Sequence, residues 1–331
     1  MKRISKRWVT GGAIALAVAA SLGVTGATAG GETLALVAYS TPKDAYSQII
    51  PAFQKTKAGK GVNFNQSYGA SGQQSRAVKN GLPADVVAFA LAPDIQRLTS
   101  SGLVSKKWTS EPHGGMVTDS VTVFVTRPGN PKHIKSWKDL IKPGVSVVNA
   151  NPFLSGGARW NVMAAYGAER QAGKSHKQAV AYLMKLYKHV VAQPSSAREA
   201  LQTWSAGEGD VLLSYENEAI FAKRNNVPLY YKIPGSTILI QNPVAPTKTS
   251  KNAKTAKALV KFLWSTKAQT IFGKNGFRPT VKKVAKRFHF SRPAHLFTIN
   301  SFHMGGWRVV QKQFFDPHTG IMVKVERQSG H

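Results

Sequence analysis

The chain contains no cysteine. That absence excludes disulfides, thiolate metal sites, a thiol nucleophile and a lipid-bearing cysteine at a processing site. Carboxylates are scarce too: 15 Asp and Glu stand against 45 Lys and Arg, a formal net charge of +30. Few carboxylates means few groups whose protonation unfolds a protein in acid, so the composition suits an acid-loving cell. No stretch beyond residue 29 approaches transmembrane length, and no sequence repeat or low-complexity linker is present. The nine histidines show no pairing motif and mostly lie in charged or C-terminal stretches.

The first 29 residues read as a cleaved signal peptide. Lys2, Arg3, Lys6 and Arg7 form a basic n-region, residues 11–24 are apolar or small with one Ser, and Ala27-Thr28-Ala29 supplies an A-x-A site. The mature chain then begins near Gly30, with roughly 300 residues and a net charge of +26. A domain that large needs no covalent staples, and an exported chain without cysteine fits the bacterial periplasm. The positive balance invites a nucleic-acid reading. The cations are spread along the whole chain, however. The densest cluster, Lys282, Lys283, Lys286, Arg287 and Arg292 with Phe288 and Phe290, carries no nucleic-acid motif and reads as a solvated face.

Apolar strands alternate with helices. Residues 34–39, 62–66 and 85–90 read as strands, with helices over 42–57, 73–80 and 93–101 between and after them. A long β-branched run at 120–126 is followed by the turn Arg127-Pro128-Gly129-Asn130-Pro131. Further helices are expected at 136–141, 156–171, 176–187 and 195–204, strands at 145–149 and 210–215, and a helix N-capped by Ser250. This β-α alternation predicts mostly parallel sheets covered by helices, and the missing linker predicts lobes crossed by ordered strands near 118–126 and 238–246.

The chemistry points to helix starts. Gly69-Ala70-Ser71-Gly72, Ser155-Gly156-Gly157 and Ser195-Ser196-Ala197-Arg198 each place small residues where a strand-like run enters a helix. Free backbone N–H groups and a positive dipole end there favour an anion. Taken singly, each is also a plain helix cap or tight turn. Tyr215, at the end of a strand before Glu216-Asn217-Glu218, adds a hydroxyl donor. Neutral donors suit a fully deprotonated anion, whereas a carboxylate acceptor selects an anion that keeps a proton. Glu216 and Glu218 are acids close in sequence to Tyr215.

The chain resembles the periplasmic sulfate-binding protein family, the solute receptors of sulfate/thiosulfate ABC importers. The resemblance rests on Gln66 through Gly72, Ala84-Asp85-Val86-Val87, Arg127 through Lys132, Trp137 through Val145, Asn151-Pro152 and Ser155 through Asn161. It continues in Gly209 through Leu212, Glu216 through Ala219, Phe277-Arg278-Pro279 and Gly305-Gly306-Trp307. It implies a two-lobed α/β fold of the type II, Venus-flytrap kind with hinge crossover strands, closing on desolvated sulfate. The lobes expected are 30–118 plus 244–331, and 119–243. By motif, Ser71, Gly156, Gly157 and Ala197 donate backbone N–H groups, and Ser155 its hydroxyl. Tyr215 stands where the best-known members carry Trp, and Ser40-Thr41-Pro42-Lys43 replaces an Asp-Pro-Thr-Arg-like stretch. Arg159 and Arg198 are expected to support the loops rather than touch the anion.

The resemblance implies a monomeric receptor with no catalysis, cofactor, metal or nucleic-acid partner, delivering sulfate to a membrane permease. Thiosulfate, molybdate and phosphate are the alternative ligands. An exported hydrolase using Ser71 is an alternative of another class, although Gln73 occupies the last Gly position of a G-x-S-x-G turn.

Overall fold

The computed structural model describes residues 31–331, so the signal-peptide reading of residues 1–29 lies outside the described residues. Strands β1 (Thr33–Tyr39), β2 (Asn63–Gly69) and β3 (Val86–Ala88) alternate with helices α1 (Lys43–Gln54), α2 (Ser71–Lys79) and α3 (Ala92–Ser100). Then come β4 (Met116–Thr126), β5 (Val147–Val148), α4 (Gly156–Gln171), α5 (His176–Tyr187), β6 (Val190–Ala192), α6 (Ala197–Ser205), β7 (Val211–Tyr215) and α7 (Glu216–Arg224). The chain continues through β8 (Tyr230–Lys232), β9 (Ser236–Pro246), α8 (Ala253–Phe262), α9 (Thr266–Lys274), β10 (Arg278–Pro279) and α10 (Lys282–Ala285). It ends with β11 (His295–Phe297), α11 (Gly306–Phe315) and α12 (Ile321–Ser329).

The strands follow the order β2-β1-β3-β9-β4-β7-β5-β6. Two parallel sub-sheets, β2-β1-β3 and β7-β5-β6, are joined through the antiparallel pair β4–β9. The first half of β4 pairs with β9, and its second half, Thr122–Thr126, with β7. Likewise Val244–Pro246 of β9 pair with β3. β4 thus runs from β9 to β7, and β9 from β11 and β4 to β3, so these two long strands link the parallel sub-sheets. In both sub-sheets the strands end at helix starts: Tyr39 and Gly69 are register partners, and Ser71 opens α2.

One core cluster packs β1 against α1, α8 and α9; a second packs β4, β5 and β7 against α6 and α7. A third runs from α3 through α4 and α5 to the C-terminal helices. Trp307 of α11 stacks edge-on against Trp160, centroids 4.6 Å apart, and Phe314 against Tyr166 at 4.9 Å. In α12, Met322 and Val325 are buried, and Gln193 donates to Glu326 over 2.7 Å. The 320–331 segment is therefore a packed helix rather than a tail.

Local differences from the sequence reading have identifiable causes. α1 stops at Gln54, where Thr56 N turns back onto Phe53 O and Gly59 N onto Thr56 O. Residues Trp137–Ile141 form a 3-10 turn held by the Ser136/Asp139 capping box. Ser250 does not cap the next helix. Its hydroxyl donates to Asp85 and accepts from Asn252 N, and Asn252 takes the cap position.

Candidate functional site

Site one is held by the Ser71 side chain. Its Oγ donates to Asp94 Oδ2 at 2.6 Å and accepts from Ala90 N at 2.9 Å. The Ala90 carbonyl in turn accepts from Trp160 Nε1 and Asn242 Nδ2. Asp94 also pairs with Arg97 at 2.9 Å. The hydroxyl is thus a structural joint, and its partners are an aspartate and a backbone amide. What Ser71 leaves uncommitted is its N–H, in the first turn of α2, where no carbonyl four residues back accepts it.

Site two lies against site one. Gly72 N donates to Leu154 O over 3.0 Å, so the start of α2 meets the turn before α4. Ser155 is the N-cap of α4 and its Oγ accepts from Ala158 N, leaving the hydroxyl proton free to donate elsewhere. The two glycines are required by approach. A Cβ on Gly156 would come within 2.7 Å of Ala90 Cβ, and one on Gly157 within 2.8 Å of the Tyr215 ring and 3.2 Å of its hydroxyl. The first 13 residues of α4, Gly156 through Ala168, are buried, so its positive end opens in the middle of the molecule.

Site three joins through the backbone: Asn151 N, in the turn of site two, donates to Pro194 O over 2.8 Å. Ser196 caps α6 through Glu199 N, and Ala197 is its first residue. The hydroxyl of Tyr215 is buried with no hydrogen-bond partner among the described residues. Burial raises its pKa well above the ordinary phenol value, so it remains a neutral donor. Its ring lies 6.5 Å from that of Tyr39 at the end of β1. The structure therefore brings Ser71, Ser155, Gly156, Gly157, Ala197 and Tyr215 into one neighbourhood at the carboxyl ends of the strands.

The buried acids Asp94, Glu216 and Glu218 are each paired with an arginine. Glu218, 0% exposed, pairs with Arg198 through two bonds of 2.8 and 3.0 Å; burial raises its pKa and Arg198 opposes that. Glu216 pairs with Arg278 at 2.7 Å. Arg159 donates to Pro152 O and Gln311 Oε1, and burial lowers its pKa to about 10.

The long-range partners of Arg198 and the state of Thr41 were not legible in the sequence. Arg198 reaches beyond Glu218 to Asp44 of α1 at 3.1 Å and to Thr41 O at 3.3 Å, and stacks 3.6 Å over Phe221. Its partners are 154 and 157 residues away, so no local signal announces them. Thr41 Oγ1 is buried and unpartnered among the described residues. The only hint was the departure at Ser40-Thr41-Pro42-Lys43.

Residues 34–278 match the family model described as bacterial extracellular solute-binding protein. The chain is 44% identical over 291 residues to the sulfate-binding protein of Synechococcus elongatus, covering 85% of this chain and 83% of that protein. It is 35% identical to a thiosulfate-binding protein of Pseudomonas aeruginosa, covering 90% and 93%. Among solved structures, the sulfate-binding protein SubI from Mycobacterium tuberculosis superposes with a TM-score of 0.83 at 41% identity, over 86% of this chain and 100% of that one.

Proposed function

The chain belongs to the bacterial extracellular solute-binding protein family, and from that premise we propose that it captures sulfate and delivers it to the permease of an ABC importer. The observation that carries this reading is the convergence of three helix starts and the unpartnered Tyr215 hydroxyl, beside the buried carboxylates of Asp94, Glu216 and Glu218, each paired with an arginine. Such a site offers donors, and these three carboxylates are spent on protein partners. It suits sulfate, which carries no proton at ordinary pH, over phosphate, which does. Ser71, Gly156, Gly157 and Ala197 donate N–H groups, and Ser155 and Tyr215 donate hydroxyls. Each bond is charge-assisted and strengthened by the low local dielectric. Arg159 and Arg198, engaged by protein groups, hold the loops.

The lobes in this reading are 30–118 plus 244–331, and 119–243. They close by bending at β4 and β9, with α12 reaching across to α5. The receptor works as a monomer in the periplasm, after loss of residues 1–29. Calorimetric titration of the anion-stripped protein with sulfate, thiosulfate, molybdate and phosphate tests the assignment. The expected result is one-to-one sulfate binding at least tenfold tighter than phosphate. Tighter phosphate binding refutes it, and tighter thiosulfate binding moves the protein to the sister specificity.

A further inference from the structure

Between Glu218 and Asp316 the sequence contains no aspartate or glutamate, yet it carries 13 lysines and five arginines. Part of that charge gathers in one place. Lys282, Lys286, His289 and Arg292 line a groove of about 650 Å3 whose walls include Phe288 and Phe290, ring centroids 6.2 Å apart. Lys283 and Arg287 are exposed beside them. The aromatic floor is fixed. A Cβ on Gly273 would lie 2.3 Å from the Phe288 ring, so that glycine seats it. Arg278 stacks 5.3 Å from the Phe290 ring and donates to Ser291 O. Arg278 spends its charge on Glu216, whereas the ion pairs among the described residues include none of Lys282, Lys283, Lys286, Arg287 or Arg292.

We propose that this groove is a docking surface for an anionic phospholipid bilayer, which holds the protein at the membrane. Charge complementarity is the first argument: an acid-free, unpaired cationic rim faces a surface of phosphates. The second is layering. Exposed cations on long stems, above half-buried aromatic rings, match headgroups lying over an apolar interface. The third is the looseness of the rim. Its cations have no carboxylate fixing their positions, which suits a laterally fluid array of phosphates better than one rigid register on nucleic acid or a folded acidic partner. The proposal stands whatever anion occupies the cleft.

Sedimentation of the full mature chain with vesicles tests it. Vesicles of phosphatidylcholine with a quarter phosphatidylglycerol should carry the protein down, and pure phosphatidylcholine vesicles should not. Each cation near an anionic surface contributes about fivefold to partitioning, so Lys282→Gln, Lys286→Gln, Arg287→Gln and Arg292→Gln together should lower it by roughly 100-fold or more. Charge reversal at exposed Lys286 alone should lower it by about tenfold or more. Sulfate affinity, read on the same preparations, should not change. An equally charged control on and around α5, Lys174→Gln, Lys177→Gln, Lys185→Gln and Lys188→Gln, should lose far less. Equal loss in the control shows diffuse net charge and overturns the proposal. So does absence of vesicle binding by the wild type, or duplex DNA that binds the groove and displaces the protein from vesicles.

Discussion

Replacing Tyr215 by phenylalanine removes one oxygen and leaves the ring that packs against Gly157. In the structure that oxygen is buried and has no partner among the described residues. An unpaired buried hydroxyl costs stability, so Tyr215→Phe should leave the anion-free protein unchanged or up to about 1 kcal/mol more stable. If the hydroxyl donates to bound sulfate, the same change removes a hydrogen bond to a charged group. The loss should be about 1.5–3 kcal/mol, or roughly 10- to 150-fold in Kd. The raised phenol pKa keeps the donor protonated, so this difference should be flat across neutral pH. Calorimetric titration and thermal melts with and without sulfate measure both effects. The opposite signs are the diagnostic, since a purely structural tyrosine loses stability and affinity together. A Phe variant that binds sulfate like the wild type places the hydroxyl outside the anion's reach and refutes the reasoning.

Ser155→Ala should weaken sulfate binding by about 1.5–3 kcal/mol and destabilise α4 by about 1 kcal/mol through the lost cap; Ser155→Gly, which costs the cap only a few tenths, should lose the binding alone, as chemical denaturation and titration will show. Arg198→Met leaves Glu218 buried without its partner and should cost about 3–5 kcal/mol in urea unfolding, most of it restored by adding Glu218→Gln. Stability should rise as pH falls from 8 toward 5. Burial raises the Asp119 pKa to about 7, and those of Glu216, Glu218 and Glu326 upward, so the folded state binds these protons first and gains as they arrive. Asp139, whose pKa is lowered by bonds from Lys142, Lys135 and Ser136 despite its burial, contributes the other way, and its stabilisation is lost below about pH 4. Urea titrations across this range should show the rise flattened in Asp119→Asn; a monotonic loss of stability from pH 8 downward contradicts the assignment.

The parts of the fold that sequence reveals are those written locally. Runs such as Leu34–Tyr39 and Val211–Tyr215 are strands because they are apolar and short, and Ser-Gly turns mark where helices begin. The two long strands were also legible in part, since the β-branched run 120–126 falls in β4 and the 238–246 segment in β9. Partnerships across long distances were not. That Ser71 spends its hydroxyl on Asp94 and Ala90 depends on β3 lying beside β1. That Arg198 locks Asp44, Thr41 and Glu218 depends on where α1 and α7 sit. The C-terminal helices carry ordinary amphipathic patterns, and only the fold shows that their apolar faces cover α4 and α5. At the site, the proposed donor residues were readable as helix starts. The pairing of Asp94, Glu216 and Glu218 with arginines, which bears on sulfate against phosphate, was not.

The central claim is that sulfate is held by neutral donors in a buried cleft and not by the +26 formal charge of residues 30–331. The most direct measurement is the sulfate dissociation constant of the anion-stripped protein from low to near-molar chloride. Neutral, desolvated donors predict one-to-one binding whose affinity barely changes across that series. Weak binding of many anions that fades steeply with salt would contradict the account and assign the affinity to surface charge.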